Sequence, residues 1–559
     1  MKFSQMPYTR PQFEDLQASL TDLLTRFKAA ANAEQAFAVY KEYDNANKEF
    51  FSLFAIGSIR HTLDTNDKFY DEEKNYFDEM LPKLQPLSQA FTQALLDSPY
   101  RKEMEAAWGT LLFDNAEITL KTFHPDIVPD LQEENKLRSE YAKLVASAQI
   151  NFDGKTLTLA EFGPYYEHPD VEIRKAAMKA AGEWRMQYAD KWDSLFDELV
   201  KVRTRIAKKL GHETFTQVGY YRMQRNCYDA ADVQKFREGV VKYIVPVAAR
   251  LKAEQAKRIG TTSPLPLYDD TFEYLDGNAK PIGTPEQIFA HGKTMYHELS
   301  KETANFIDFM LENELFDVLT RPGKQAGGYC HNIPKYKSPF IFANFNGTSG
   351  DIDVLTHEAG HAFAGYLAQD IYPSALKRYS METAEVHSMA MEFFTWPWME
   401  GFFGDATQKY YQSHLGAALT FIPYGTMVDE FQHHMYEKPD LTPAERNALW
   451  LELEKKYRPW LDMADMPFYA EGRRWQAQGH IFSSPFYYID YCLAQIIALS
   501  FWAQAQTDRD ASWAKYRRLV GYAGTKTFVD LVQDAGLPTP FVAENLKEVA
   551  DAAVAWLDK

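Results

Sequence analysis

Cysteine is scarce in this chain of 559 residues: there are three, Cys227, Cys330 and Cys492, far apart. So few, odd in number and scattered, they exclude a disulfide framework, a CxxC redox motif and a thiolate zinc ribbon. Long apolar runs are missing too. No stretch approaches the ~18–20 residues a membrane-spanning helix needs, so no membrane partner is expected. The first residues, MKFSQMPYTRPQFEDLQ, lack the apolar centre of a secretion signal, which makes the cytoplasm the expected compartment. Positive charge is in deficit, with 60 Lys and Arg against 78 Asp and Glu and a net charge of −18. Such a surface repels phosphate backbones, and nucleic acid is not an expected partner. Repeats, low-complexity tracts and Gly/Ser linkers are absent. What remains is 46% hydrophobic and 25% charged, enough apolar material for a large core.

Helical periodicity fills most of the chain. Phe13, Leu16, Leu20, Leu23, Leu24 and Phe27 recur at spacings of three and four, which predicts a helix over 13–30. Similar stretches predict helices near 33–60, 67–97, 101–122, 133–148, 170–210 and 230–258. The Pro- and Gly-containing segment 259–284 predicts an extended loop before a helix at 285–301. Residues 319–350 are the one convincing β region, with the run Pro339–Phe345 rich in strand formers. Pro339 cannot donate to a ladder, which suits the start of an edge strand. The helical pattern resumes at Ile352 and continues almost to Lys559. The expected fold is mainly α, a large multi-helix, two-lobed protein with a small β-hairpin or sheet. The expected lobes are residues 1–200 and 201–559.

Chemistry enters at Asp351–Phe363, whose core is His357-Glu358-x-x-His361. On a helix, positions i and i+4 share a face, so the two imidazoles can converge on one metal. Glu358, next to the first ligand, can reach a water on that metal without binding the metal itself. A catalytic zinc of this kind takes a third protein ligand and keeps one position open. Glu382 and Glu385 lie 21 and 24 residues past His361 and share one helical face, so periodicity alone leaves both open. His387, two residues past Glu385, is turned about 200° away and is expected in a supporting or surface place. Glu392, two turns beyond Glu385, shares its face and can hydrogen-bond a ligand histidine.

The run HEAGHAFAGY, the later Glu385-Val386-His387-Ser388 and the upstream SPFIFANFNGTSGDIDVLTHEAGH resemble the M3 family of zinc oligopeptidases, in its oligoendopeptidase F branch. The likeness is strong over about 320–495. Residues 205–225, RIAKKLGHETFTQVGYYRMQR, also resemble the family's approach to its catalytic part. The resemblance implies His357, His361 and Glu385 as ligands of one zinc ion per chain and Glu358 as general base. It favours Glu385 over Glu382 because Ser388 supplies an E-x-x-S context. It also implies a deep channel that admits short unfolded peptides. Other HExxH patterns fit less well: a metzincin would need Gly and His where Ala364 and Leu367 stand, and no GxMEN element of a gluzincin aminopeptidase is present.

A second cluster, Gly479–Tyr491, holds a His and several Tyr, neutral donors suited to an oxyanion that develops in the transition state. Tyr487 and Tyr491 are i and i+4, and Tyr488 is the spare candidate, assigned to substrate binding. Matching the family's His-then-tyrosines segment implies His480 and a tyrosine of this set as donors. The plainer reading is aromatic packing. An edge strand beside the metal can pair with an extended peptide, and Ala343, Asn344 and Gly347 are the candidates for that contact. By analogy with the family, the Gly327-Gly328-Tyr329 turn allows close approach of substrate.

The expected function is a zinc-dependent oligoendopeptidase acting on short peptides. One alternative is a dipeptidyl- or carboxypeptidase, for which Arg473, Arg474 and Lys337 could hold a terminal carboxylate. The other is a non-catalytic helical peptide-binding protein, which would lack a ligand or the base.

Overall fold

Amphipathic periodicity becomes helix along most of the chain in the computed structural model, which describes residues 1–559 except Pro322, Ala326 and Ala464, and only the backbone of Pro82. Helix ends follow local chemistry. The Asn32 side chain accepts from Gln35 N–H and starts the helix Ala33–Leu63, and Asp67 caps Lys68–Leu96 in the same way. The helix Pro285–Leu299 opens on a capping box between Thr284 and Gln287. The expected helix 101–122 is two, Arg101–Trp108 and Leu111–Leu120, because Gly109 turns the chain at φ 81°. The stretch 170–210 likewise divides, at Tyr188.

The β structure is larger than expected. Ile150–Phe152 and Lys155–Leu157 form an antiparallel hairpin around Asp153-Gly154, both at positive φ. That is the two-residue turn a hairpin prefers. Inside the 259–284 loop, Leu265–Pro266 pairs in parallel with Leu461–Asp462. The third sheet carries the site, with Ser338–Phe345 between Phe316–Leu319 and Tyr329–Ile333. The expected edge strand is therefore central. Pro339 is tolerated there because it stands at the second residue of the strand, opposite Asn332.

Contacts divide the chain into two units, each assembled from separate segments. The first comprises Met1–Leu120, Lys280–Thr407 and Gln504–Leu537; the second comprises Lys121–Ala279, Gln408–Ala503 and Pro538–Lys559. A single division near residue 200 falls inside the helix Ala189–Lys209 of the second unit. In the first unit, Leu23, Phe27, Val39, Tyr40 and Phe91 form one buried cluster. In the second, Trp475 stacks on Phe482, and Phe196 packs against both. Among the described residues, no helix is long and apolar enough to cross a membrane.

Candidate active site

The first unit brings the expected metal-binding residues together on two helices. Gly350–Leu367 carries His357, Glu358 and His361, and Met381–Phe394 carries Glu385 and Glu392. The loop before the first helix is tied down by Asp351, whose carboxylate accepts from the N–H groups of Asn346 (2.8 Å) and Gly347 (2.7 Å). Close approach of the two helices depends on Gly360, which has no side chain to meet the backbone of His387 and Ser388.

Donor atoms of His357, His361 and Glu385 all lie within 4.8 Å of one another. Glu385 Oε2 is 3.5 Å from His357 Nε2 and 3.6 Å from His361 Nε2. Ligand atoms around a tetrahedral ion with ~2.1 Å bonds stand about 3.4 Å apart, so the spacing fits a metal. Glu392 Oε1 accepts from His357 Nδ1 at 2.6 Å, which turns Nε2 toward Glu385. Ser388 Oγ donates to Glu385 Oε2 at 3.2 Å and steadies that carboxylate. Glu382 sits on the same helix, buried, and is not part of the cluster.

Electrostatics agree with this fit. Burial, helped by the neighbouring His357, pushes the His361 imidazole down to about 4, so it stays neutral with a lone pair to offer. Burial opposes charge on His357 as well, but hydrogen bonds to Glu385 and Glu392 hold it well above the ordinary histidine value. Those carboxylates favour a positive charge at this point, which a bound cation supplies in place of the proton. Glu358 is buried, and its Oε2 has no hydrogen-bond partner among the described residues. Burial, reinforced by Glu385 and Glu392, pushes its carboxyl up to about 7.

His387 is fully buried, its ring edge-on to Tyr379 at 4.6 Å, so the surface alternative for it is set aside. The three strand candidates are held within the fold. The Ala343 carbonyl accepts from Lys324 Nζ at 2.5 Å, and Asn344 Nδ2 donates to the carbonyls of Gln325 and Gly327. The Gly347 N–H is engaged by Asp351. Gly328 lies close to the base: a Cβ there would stand 3.7 Å from Glu358 Oε1.

The second unit holds the other cluster. His480 lies 4.8 Å from Tyr488, 5.9 Å from Tyr487 and 6.3 Å from Tyr491, centroid to centroid, and all four are half-buried. Tyr424 OH donates to Gln478 Oε1 at 2.7 Å, which turns the amide NH₂ of Gln478 toward His480 Nδ1 at 2.9 Å. Nδ1 therefore accepts, and the imidazole proton sits on Nε2. Burial lowers the His480 pKa and keeps the ring neutral. Gln478 and Tyr424 carry no sequence signal of this role. Ser388 had one, but it was read only as a matter of resemblance.

Residues 3–123 match the Peptidase M3 N-terminal domain, and residues 165–550 match Peptidase family M3. A structure of PZ peptidase A with an inhibitor is 46% identical, covers 100% of this chain and 99% of its own, and superposes with a TM-score of 0.93. Another, provisionally assigned as an oligoendopeptidase F from Bacillus anthracis str. Ames, is 44% identical over 100% and 98% of the two chains, with a TM-score of 0.88. The chromosomal oligoendopeptidase F of Lactococcus lactis subsp. cremoris is 22% identical over 240 residues, which span 42% of this chain and 38% of that relative. With family matches over residues 3–123 and 165–550, and two solved structures alike over nearly their whole length, this chain belongs to peptidase family M3, in its oligoendopeptidase F branch.

Proposed function

We propose that the protein is a zinc-dependent endopeptidase that hydrolyses internal bonds of short, unstructured peptides. The observation that carries this reading is the convergence of His357, His361 and Glu385 beside the buried, unpartnered Oε2 of Glu358. Zinc held by those three side chains would supply Lewis acidity to water and to the scissile carbonyl. Glu358, with its carboxyl raised to about 7, takes a proton from the attacking water and returns it to the leaving amine. His480, through its Nε2–H, and the hydroxyl of Tyr487 or Tyr491 donate to the developing oxyanion. Tyr488 contacts the substrate. An extended peptide adds to the end of the central strand at Asn344. The antiparallel neighbour pairs only as far as Phe342, leaving the main chain of Asn344 beyond it. None of the three cysteines is in a disulfide, in keeping with a cytoplasmic setting.

The exopeptidase alternative needs an available cation. Arg473 is paired with Asp193 and Glu471 and Lys337 with Asp370, which leaves Arg474, over the Tyr424 ring with its Nη1 without a hydrogen-bond partner among the described residues, as the cation that reading would use. The test is cleavage of an end-blocked, internally quenched peptide by wild type and Glu358→Gln, with zinc measured in both. Wild type should cut internally. The variant should retain zinc and lose about 10²–10⁴-fold in kcat. Wild type that holds zinc but spares blocked peptides would favour the exopeptidase; no zinc and no cleavage would sink the reading.

A further inference from the structure

Two arginines of the second unit have no part in the chemistry above, yet both end on the loop between His480 and Tyr487. Arg203, on the helix Ala189–Lys209, and Arg225, just past the helix Phe215–Arg222, each have side chains 0% exposed. Arg203 donates through Nε to Glu134 (2.7 Å) and through Nη1 to the Tyr436 hydroxyl (2.9 Å). Its Nη1 and Nη2 also reach the carbonyls of Ile481 (3.2 Å) and Phe482 (2.5 Å). Those carbonyls lie in the short helix Gly479–Ser483, whose last acceptors have no intrahelical partner. Arg225 Nη2 donates to the Phe486 carbonyl at 2.5 Å and pairs with Asp490 at 2.6 Å, while its guanidinium lies 4.4 Å from the Tyr220 ring centre.

Phe486 is the point that needs holding. Its φ of 66° is left-handed, a conformation a side chain with a Cβ adopts only when the surroundings impose it. Its N–H donates to Gln432 Oε1 at 2.9 Å. Its ring fills the space left by Gly219, where a Cβ would stand 2.4 Å from the ring. The reversal at Phe486 sets where Tyr487 emerges and how the helix Tyr488–Ala505, with Tyr491, begins. Arg203 spans two successive carbonyls with the two ends of its guanidinium fork, whereas Arg225 joins the Phe486 carbonyl and the Asp490 carboxylate through Nη2 alone.

We propose that Arg203 and Arg225 are positioning residues that fix the loop Ile481–Phe486 and thereby hold Tyr487 in place against His480. The inference rests on the reading of His480 as an oxyanion donor and takes Tyr487, of the two tyrosines, as the donor beside it. It also gives a physical role to the 205–225 segment, which ends on Arg225.

The test pairs a spectroscopic reading with kinetics. Arg225→Met/Asp490→Leu removes both buried charges at once, so that neither is stranded. With 3-fluorotyrosine at position 487, the ¹⁹F resonance of this variant should shift and broaden relative to wild type. Zinc content and a cooperative melt should be retained. On the end-blocked peptide, kcat should fall about 100-fold with KM little changed, as expected of a displaced donor. Arg225→Lys, which keeps the charge on a shorter side chain, should recover part of both readings. If the double variant does not fold cooperatively, Arg225→Lys against wild type decides on the same resonance. In a Tyr487→Phe background the double change should add little further loss. An unmoved resonance, or fully additive losses, would overturn the proposal. If His480→Ala and Tyr487→Phe both keep full kcat, the oxyanion reading fails, and the resonance alone judges the positioning role.

Discussion

The Cα of Gly360 faces the carbonyl of His387 so closely that a Cβ there would stand 2.4 Å from the oxygen and 2.6 Å from Ser388 Cα. That carbonyl cannot simply swing aside, because it already accepts from the Tyr516 hydroxyl at 2.6 Å. Gly360→Ala therefore sets two effects against each other. Helix propensity alone would favour alanine by about 1 kcal/mol. Overpacking of a backbone contact costs about 1–3 kcal/mol and separates the helix of His357 and His361 from that of Glu385. The second effect should win. Gly360→Ala is expected to unfold at lower denaturant concentration and to lose zinc on dialysis; a variant as stable as wild type with full zinc would refute the argument.

Glu392 and Ser388 act on the metal through the groups they hold. Glu392 orients His357, and Ser388 steadies Glu385. Glu392→Ala should weaken zinc affinity about 10–100-fold, the usual effect of losing a carboxylate behind a ligand histidine. Ser388→Ala removes one long hydrogen bond, from a hydroxyl shared with the Glu385 carbonyl, worth about 1 kcal/mol or roughly fivefold, and should weaken affinity less. Competition with a chromophoric chelator measures both. The ordering is the prediction, and an equal or reversed effect would count against it.

The metal cluster was legible because helical spacing needs no tertiary information: His357, His361 and Glu392 follow from counting turns. The choice of Glu385 over Glu382 does not follow from spacing, since both lie on one face, and the answer depends on which turn of the helix meets the histidines. Spacing leaves His387 open between a supporting and a surface place for the same reason, because Tyr379 and Tyr516 pack against it from elsewhere in the chain. The central position of Ser338–Phe345 depends on Phe316–Leu319, a four-residue strand with a bulge, too short for a period-2 pattern to stand out. The hairpin at Asp153-Gly154 did have its turn signal, but its strands are three residues each. Helical continuity hid the interleaving of the two units, which is a matter of long-range contact.

Lys324 ties the glycine turn to the sheet beside Glu358. Its ammonium is fully enclosed and donates to the carbonyls of Asp317, Leu319 and Ala343 and to the Asp317 carboxylate. Asn344 reaches back to the carbonyls of Gln325 and Gly327. Lys324→Met keeps the length of the side chain but takes the donor away from three carbonyls, each a lost bond of about 1–3 kcal/mol, while the Asp317 carboxylate keeps Arg321. We expect faster amide exchange in residues 323–325, 327 and 328 and a lower kcat, with zinc content unchanged because none of the proposed zinc ligands is touched. Unaltered exchange would show that the turn is held by other contacts.

Acid should act on Glu430 in a defined window. Its carboxylate accepts from both Lys456 (2.7 and 2.8 Å) and the Tyr457 hydroxyl. Burial works to raise its pKa, but the nearby His434, 3.9 Å away, and the hydrogen bonds from Lys456 and Tyr457 outweigh it and bring the group down from 4.5 to about 2. A folded value below the unfolded one means the folded state binds the proton less well. The stabilisation is then complete above about pH 4.5 and drains away as the pH falls toward 2, with a ceiling of about 3 kcal/mol. Glu430→Gln should therefore be less stable than wild type at pH 7, and the gap should narrow steadily below pH 4.5 in urea titrations. A gap of constant size across that range would mean that the substitution acts through packing and not through the charge.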